Sequence, residues 1–403
     1  MSTFHAALEI GTTRTILATS EAAPGERIKI TCLAEIPSSG VRKSEILDIN
    51  QARESIRSVI HAAEKKQADL GTSLTIGNAF LVVNGQHIRV ENYQPSVAVE
   101  GTTVSANDID EVIHAAENMP IPKDRELLDI VERVYTLDNL SGITAPKGMS
   151  GRILKLETLQ ITADRNRLSD ARTAAEGAHL EIAEALFSAT CAAEAVLGEH
   201  ERRNGVLLID FGGGSTSYAV YADETLAAAG SLGVGGDHIT NDIATAFQTT
   251  NGQAEELKIS EAAATFMPNE NESARVQIKG DSPLMETRTI SRRALNTVVN
   301  ARVRELILYI RETLENADML PFLHEGIVIT GGGAALRGLD VLLQREFGIP
   351  VRHGIPIYVD GLADLPHPES YASIAGALLY AHRNYEKHSD FFSFFKRLKD
   401  LFK

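Results

Sequence analysis

Two segments share one order of apolar and polar positions. Leu8-Glu9-Ile10-Gly11-Thr12-Thr13-Arg14 leads into Thr15-Ile16-Leu17-Ala18, and Leu207-Leu208-Ile209-Asp210-Phe211-Gly212-Gly213-Gly214-Ser215-Thr216-Ser217 leads into Tyr218-Ala219-Val220-Tyr221. Each predicts an apolar strand with an acidic residue near its end, a turn of small residues bearing hydroxyls, and a second apolar strand. Two such hairpins facing each other can grip a chain of phosphates from both sides. Glycines expose backbone N–H groups, hydroxyls add donors, and the acid can orient a magnesium ion. Each turn feeds a strand and not a helix, which argues against a Walker A loop and a dinucleotide fingerprint.

Elsewhere the periodicity alternates between strand and helix. Strands are expected over Ala6–Ser20, the first hairpin, and over Arg27–Glu35. A helix follows, capped by Asp48, with Ile49, Ala52, Ile56, Val59, Ile60 and Ala63 on one face. Leu74–Val83 reads as a strand. Asp108–Glu117 reads as a helix with Ser105 and Asp108 near capping-box spacing, ended by Pro120 and Pro122. Gln160–Ala163 is strand-like, Arg167–Gly177 helical, and Glu184–Leu197 an alanine-rich helix. In the second half Leu226–Ser231 is strand-like, Thr240–Phe247 helical, Pro268–Pro283 irregular and Ala294–Glu315 a long helix. Ile327–Thr330 is a short buried strand, followed by Gly331-Gly332-Gly333, a helix over Leu336–Phe347 and a last helix over Tyr371–Tyr380. The two hairpins are the chain's only internal echo.

A length of 403 residues predicts two or more domains. Two distant cysteines, Cys32 and Cys191, give no disulfide framework and no zinc site, which points to a reducing compartment. No secretory signal is visible, and no apolar stretch is long enough to span a bilayer. The net charge of −15 argues against general nucleic-acid binding. That charge is uneven. Ser389 to Lys403 carry two acids and four bases, net +2, leaving −17 for the preceding chain. The same tail holds five of the 13 phenylalanines, which is not core composition. Apolar residues at 391, 394, 395, 398 and 402 fall on one helical face, with 392 and 401 beside them. Such a helix is roughly 22 Å long, too short and too charged to span, and suits the membrane interface. Each fully buried Phe contributes about 1.5–3 kcal/mol, against about 1 kcal/mol per basic residue at an anionic surface. The candidate membrane residues are Phe391, Phe392, Phe394, Phe395, Lys396, Arg397, Leu398, Lys399, Leu401 and Phe402. The bland alternative is a tail docked on the body or on a partner helix.

The candidate chemistry lies in the loops. Gly11, Thr12, Thr13 and Arg14, and Gly212, Gly213, Gly214, Ser215 and Thr216, are candidate phosphate contacts. Glu9 and Asp210 are candidates for orienting Mg2+ and water, the metal held through water. Gly331, Gly332, Gly333 and Leu336 offer a close backbone and a helix N-terminus to a flat ligand. Gly235, Gly236 and Asp237 form a weaker glycine turn. Glu255 and Lys258 share a helical face and reach toward ribose and base, though such pairs are more often surface contacts. His87, His238 and His324 have no metal-ligand spacing, and no serine or cysteine stands in a nucleophile setting.

The three loops resemble the phosphate-1, phosphate-2 and adenosine motifs of the actin, Hsp70 and sugar-kinase ATPase superfamily. Within it the chain is similar to the FtsA family, bacterial cell-division proteins that link the division tubulin FtsZ to the membrane. The matching stretches include Gly40-Val41-Arg42-Lys43, Gly85-Gln86-His87-Ile88-Arg89, Ile121-Pro122-Lys123-Asp124-Arg125-Glu126, Gly148-Met149-Ser150-Gly151, the run Gly235 to Ala244, and Ile290-Ser291-Arg292-Arg293. The resemblance implies an α/β, actin-like ATPase fold, two α/β halves around a nucleotide cleft, with an FtsA-type inserted subdomain and a C-terminal amphipathic helix. The implied divisions are 1–83 and 165–204 for the first core, 84–164 for the insert, and 205–253 and 315–360 for the second core. Residues 254–314 form the small subdomain, 361–388 the return and linker, and 389–403 the membrane-targeting helix.

The resemblance further implies ATP and Mg2+ as ligands, self-association into filaments, and the FtsZ C-terminal peptide, other division proteins and an anionic membrane as partners. It places the protein peripherally on the cytoplasmic face of the bacterial inner membrane, at the division site. Arg292, Arg293 and Arg302 are its candidates for the acidic peptide, since arginine pairs carboxylates through a planar fork. Three positions depart from the pattern. Glu9 stands where the family usually has aspartate, Arg14 where it usually has lysine, and Ser217 where the superfamily often has aspartate. Nucleotide binding is expected to survive, with weak or absent hydrolysis. The competing expectations are a pilus-assembly adaptor of the same fold and a small-molecule kinase. The tail argues against both, and no general base for a kinase is identifiable.

Overall fold

The structure, a computed structural model, describes residues 3–384 except 24, 70, 72–74, 267–270, 272–273 and 279–286. The expected tail helix, with Phe391, Phe392, Phe394, Phe395, Lys396, Arg397, Leu398, Lys399, Leu401 and Phe402, lies outside the described residues. Among those described, no helix is long and apolar enough to cross a membrane.

In the first half, β1 (Thr3–Ile10), β2 (Arg14–Ala22) and β3 (Ile28–Pro37) form an antiparallel meander. The hairpin expected over Ala6–Ser20 is thus β1 and β2, joined by the turn Gly11-Thr12-Thr13. A small hairpin, β4 (Val41–Arg42) and β5 (Glu45–Ile46), leads into α1 (Ile49–Asp69). Asp48 caps α1, accepting from the amides of Asn50 and Gln51 at 2.9 and 3.1 Å. Its apolar face, Ala52, Ile56, Val59, Ile60 and Ala63, is buried, as the 3.6-residue period predicts. β6 (Asn78–Val83) then pairs parallel to β1.

A second sheet is inserted after β6. It holds β7 (Ile88–Tyr93), β8 (Ser96–Ala98), β9 (Arg125–Leu137), β10 (Leu140–Ile143) and β11 (Ile153–Asp164), with helix α2 (Ala106–Glu117) against it. Ser105 and Asp108 form the capping box of α2. Only Gln160–Ala163 of this sheet was legible as strand. Most β9 side chains are partly exposed, so its sequence lacks a clean two-residue alternation. The chain returns through α3 (Arg165–Glu176), β12 (Glu181–Phe187) and α4 (Ser188–Val196). The helix expected over Glu184–Leu197 therefore begins as a strand. Parallel pairing of β12 with β6 overrides the helix propensity of Glu184-Ala185-Leu186.

After α5 (Glu199–Asn204), the second half repeats the first with β13 (Val206–Phe211), β14 (Thr216–Ala222) and β15 (Thr225–Leu232). Next come α6 (Gly236–Phe247), α7 (Asn251–Ser260), a hairpin of β16 (Arg275–Ile278) and β17 (Arg288–Ser291), and α8 (Arg292–Asn316). β16 lies inside the stretch expected to be irregular. β18 (Ile327–Thr330), α9 (Leu339–Phe347), β19 (Val351–His353) and β20 (Val359–Asp360) follow, then a helix α10 over 372–384. The first sheet runs β12-β6-β1-β2-β3-β20 and the second β19-β18-β13-β14-β15 when read from the matching edge. Apart from the edge strand β20, the two orders coincide, so the sequence echo is an architectural duplication.

Candidate functional site

The duplication aims two turns of like closure at one another. Glu9 stands opposite Ile16 in the first hairpin and Asp210 opposite Ser217 in the second. Gly11 N–H donates to the Arg14 carbonyl at 3.1 Å, and Gly212 N–H to the Ser215 carbonyl at 3.0 Å. The β4–β5 turn joins them: Ser44 N–H donates to Thr12 Oγ1 at 2.8 Å, and Ser44 Oγ lies 2.9 Å from Ser215 Oγ. A Cβ added at Gly213 would stand 2.2 Å from Thr13 Oγ1, and at Gly214 2.1 Å from Thr12 Oγ1. Glycine is required here by the approach of the two turns.

Beneath the turns sit the two carboxylates. Burial pushes the Glu9 carboxyl up, while a 2.7 Å hydrogen bond from Ser373 and the charge of Arg14 draw it back. Asp210 is pushed up to about 7, first by burial and then by the negative charge of Glu9, with a hydrogen bond to Ser188 opposing. Asp237 is raised by burial against the pull of Lys258. Mutual repulsion of two acids, Asp210 buried and Glu9 half-buried, is what a divalent cation relieves. Among the described residues no group of three or more His, Cys, Asp or Glu could hold a metal. Two carboxylates, with the remaining positions left to water and ligand phosphates, fit Mg2+.

The cleft measures about 400 Å³, within the usual range for small-molecule sites. Its walls bring together Glu9, Gly11, Thr12, Thr13, Arg14, Asp210, Gly212, Gly213, Gly214, Ser215, Gly236, Asp237, Glu255, Lys258, Gly331, Gly332, Gly333 and Leu336. Two expected residues stand behind the wall. Thr216 is buried and donates to the Val234 carbonyl at 2.8 Å, and Gly235 packs against the Gly212 and Gly213 carbonyls. Gly331, at φ +82°, lets its Cα come beside Asp210, where a Cβ would meet Oδ1 at 2.5 Å. The glycine run does not open a helix directly. Gly332–Ala335 is a short 3-10 turn, Gly338 is left-handed, and α9 starts only at Leu339. A helix N-terminus is therefore absent immediately after the glycines.

Three further expectations change in detail. The Arg14 guanidinium is held by Glu35 at 2.7 Å and the Ser370 carbonyl at 3.0 Å, over the Tyr371 ring. Lys258 is held by Glu255 at 2.7 Å, Thr240 Oγ1 at 3.0 Å and the Gly236 carbonyl at 3.2 Å, so the pair is a built part of the wall. Arg302 forks onto Asp242 at 2.6 and 3.1 Å, and Arg292 pairs with Glu261. Sequence reasoning missed Ser44, Asn84, Ile259, Ser370 and Ser373, which also line the cleft. Ser370 and Ser373 come from the far end of the chain, and no local motif marks them.

The sequence profile "SHS2 domain inserted in FTSA" matches residues 85–162, and "Cell division protein FtsA" matches 207–376. Cell division protein FtsA of Pseudomonas aeruginosa is 31% identical over 384 residues, covering 95% of this chain and 89% of that protein. The chain belongs to the FtsA family. The Escherichia coli K12 relative is 29% identical, covering 93% of this chain and 89% of its own. Among solved structures, the "PilM-PilN type IV pilus biogenesis complex" aligns with a TM-score of 0.64 at 16% identity, over 93% of this chain and 98% of that chain. MreB5 of Spiroplasma citri bound to ADP aligns at 0.56 and 13% identity, over 96% and 98%. These likenesses establish the actin-like ATPase fold, and the inserted sheet falls on the residues that match the SHS2 profile.

Proposed function

We propose that this protein binds ATP with Mg2+ in the cleft, assembles into filaments on the inner face of the cytoplasmic membrane at the division site, and tethers FtsZ filaments there. The observation that carries the nucleotide assignment is the convergence of two glycine-bearing turns of like closure over Glu9 and Asp210, facing the glycine run at 331–333. The amides of the turns at 11–14 and 212–215 would take the phosphates. Glu9 and Asp210 would hold the cation through water. Glu255 and Lys258 would serve the ribose side, with Gly333 and Leu336 at the base.

Hydrolysis is slow in this proposal. Arg14 is committed to Glu35 and Ser370, and Ser217 supplies no second acid beside Asp210. Electrostatic stabilisation of a phosphoryl transition state needs cations at the transferring group. Brisk steady-state ATPase activity, comparable to an ordinary kinase, would refute it.

Membrane and FtsZ engagement rest on the tail composition and on family membership. An acidic FtsZ peptide meeting Arg292 or Arg302 must exchange with Glu261 or Asp242, and Arg293 is the third candidate. The experiment is co-sedimentation with anionic liposomes and ATP, comparing the whole chain with one ending at His388. Binding by the first alone supports a tail anchor, and equal binding by both removes it. Pull-down on an FtsZ C-terminal peptide tests the partner, and no retention on that peptide would refute the tether.

A further inference from the structure

A thread of serine hydroxyls leaves the cleft where the superfamily often has a second acid. Ser217 stands on β14, opposite Asp210 on one side and Ser231 of β15 on the other. Ser188, the first residue of α4, donates from its Oγ to Ser217 Oγ at 3.3 Å, and Ser217 is the cross-strand partner of Asp210. Ser217 Oγ lies 3.0 Å from Ser231 Oγ, which accepts from the Gly85 backbone N–H at 3.1 Å. Ser188 and Ser217 are fully buried. Gly85 is the first residue of the matched inserted domain and stands just before β7.

The thread crosses between the halves twice. Ser188 belongs to the first half, Ser217 and Ser231 to the second, and Gly85 to the root of the insert. β15 also packs on β7, β9 and β11 of the insert. The first residues of α6, shortly after β15, hold the turn at 212–215, Gly236 N–H donating to Gly212 O at 3.0 Å and Asp237 N–H to Gly213 O at 2.8 Å. Hydrogen bonds tolerate only a few tenths of an ångström before weakening. A small rotation of one half against the other therefore strains both crossings together, which apolar packing at these positions would not do.

We propose that Ser188, Ser217 and Ser231 transmit occupancy of the cleft to the inserted domain at Gly85, so that nucleotide sets how firmly the insert is held. This rests on the nucleotide assignment above. It gives Ser217 a positioning role where the superfamily often has an acid. Such coupling must be measured as a change at one site caused by the other, since a chain of contacts alone does not establish it.

The test is hydrogen exchange in the full chain, read at peptides covering 85–98, with and without Mg2+ and a non-hydrolysable ATP analogue. The expected result is exchange slowed at least about fivefold by the nucleotide in the unaltered protein. Ser217→Ala and Ser231→Ala are expected to abolish that difference while nucleotide affinity, from a fluorescent analogue, stays within about threefold. The double variant is expected to do no more than either single one. Ser231 is half-buried, so Ser231→Ala keeps the test open if Ser217→Ala does not fold. Retention of the nucleotide effect in the variants overturns the thread. Nucleotide binding without any change at 85–98 in the unaltered protein overturns it while leaving the cleft assignment standing. No binding of nucleotide by the unaltered protein removes both.

Discussion

Arg14 and Glu35 form an ion pair at 2.7 Å, and both members also engage Tyr371. The guanidinium sits 4.9 Å from the ring centroid, and the phenol donates to Glu35 at 3.2 Å. The turn at 11–14 is thereby fastened to the segment that opens α10. Both charges are partly exposed, so the pair adds little stability by itself. Its consequence is positional: the cation points at the return segment. Arg14→Lys is expected to change ATP affinity by no more than about threefold in a fluorescent-nucleotide titration. A loss of about tenfold or more would show that Arg14 reaches the phosphates.

Gly376 marks the crossing of α10 with α4. A Cβ there would lie 1.7 Å from the Cys191 carbonyl oxygen, which neither helix can vacate without separating the buried faces. Gly376→Ala is expected to lower stability by about 2–4 kcal/mol in urea unfolding. Gly252, inside α7, meets nothing within 4 Å, and Gly252→Ala is expected to be neutral or stabilising by up to about 1 kcal/mol. Equal effects of the two substitutions would contradict the close crossing.

The turns were legible because their signal is local. A strand, an acid and a small-residue turn lie within a dozen positions, and both copies fold with the same Gly-to-carbonyl closure. The capped helices α1 and α2 were legible for the same reason, through Asp48 and Ser105. What stayed hidden depends on distant partners. β12 is a strand because β6 offers it a parallel edge, and nothing in Glu184-Ala185-Leu186 encodes that neighbour. Ser373 reaches Glu9 across most of the chain. Ser188 and Ser231 are ordinary serines until the halves come together.

A histidine pair, His382 buried and His5 half-buried, should make stability depend on acid. His382 of α10 is pushed down to about 4 by burial and by His5, whose ring lies 4.4 Å away edge-on. Its neighbour Ser20 Oγ is 3.0 Å from Nε2. The folded state keeps His382 neutral, so between about pH 6.5 and 4 the unfolded chain binds the extra proton. Stability is therefore fully present above about pH 6.5 and is lost as pH falls toward 4. His5 is lowered too and adds in the same direction. Melting temperatures from pH 7 down to 4.5 are expected to fall less steeply in His382→Gln than in the unaltered protein. Parallel slopes would exclude His382 as a contributor.

The carboxylate pair should separate cation dependence from phosphate binding. Asp210 and Glu9 repel each other in the cleft, and Asp210 carries the larger consequence. Asp210→Asn removes one charge, ends that repulsion and keeps an oxygen for the hydrogen bond with Ser188. The turns at 11–14 and 212–215 are held by backbone and hydroxyl contacts that this change does not touch. Nucleotide affinity without Mg2+ is therefore expected to rise in the variant, since one negative charge beside the phosphates is gone. The gain in affinity on adding Mg2+ is expected to shrink about tenfold or more, the scale of one lost charged ligand. Isothermal titration with and without Mg2+ reads both quantities. An unchanged Mg2+ effect in Asp210→Asn would place the cation elsewhere, and Glu9→Gln, titrated alongside, would then be the variant expected to lose it.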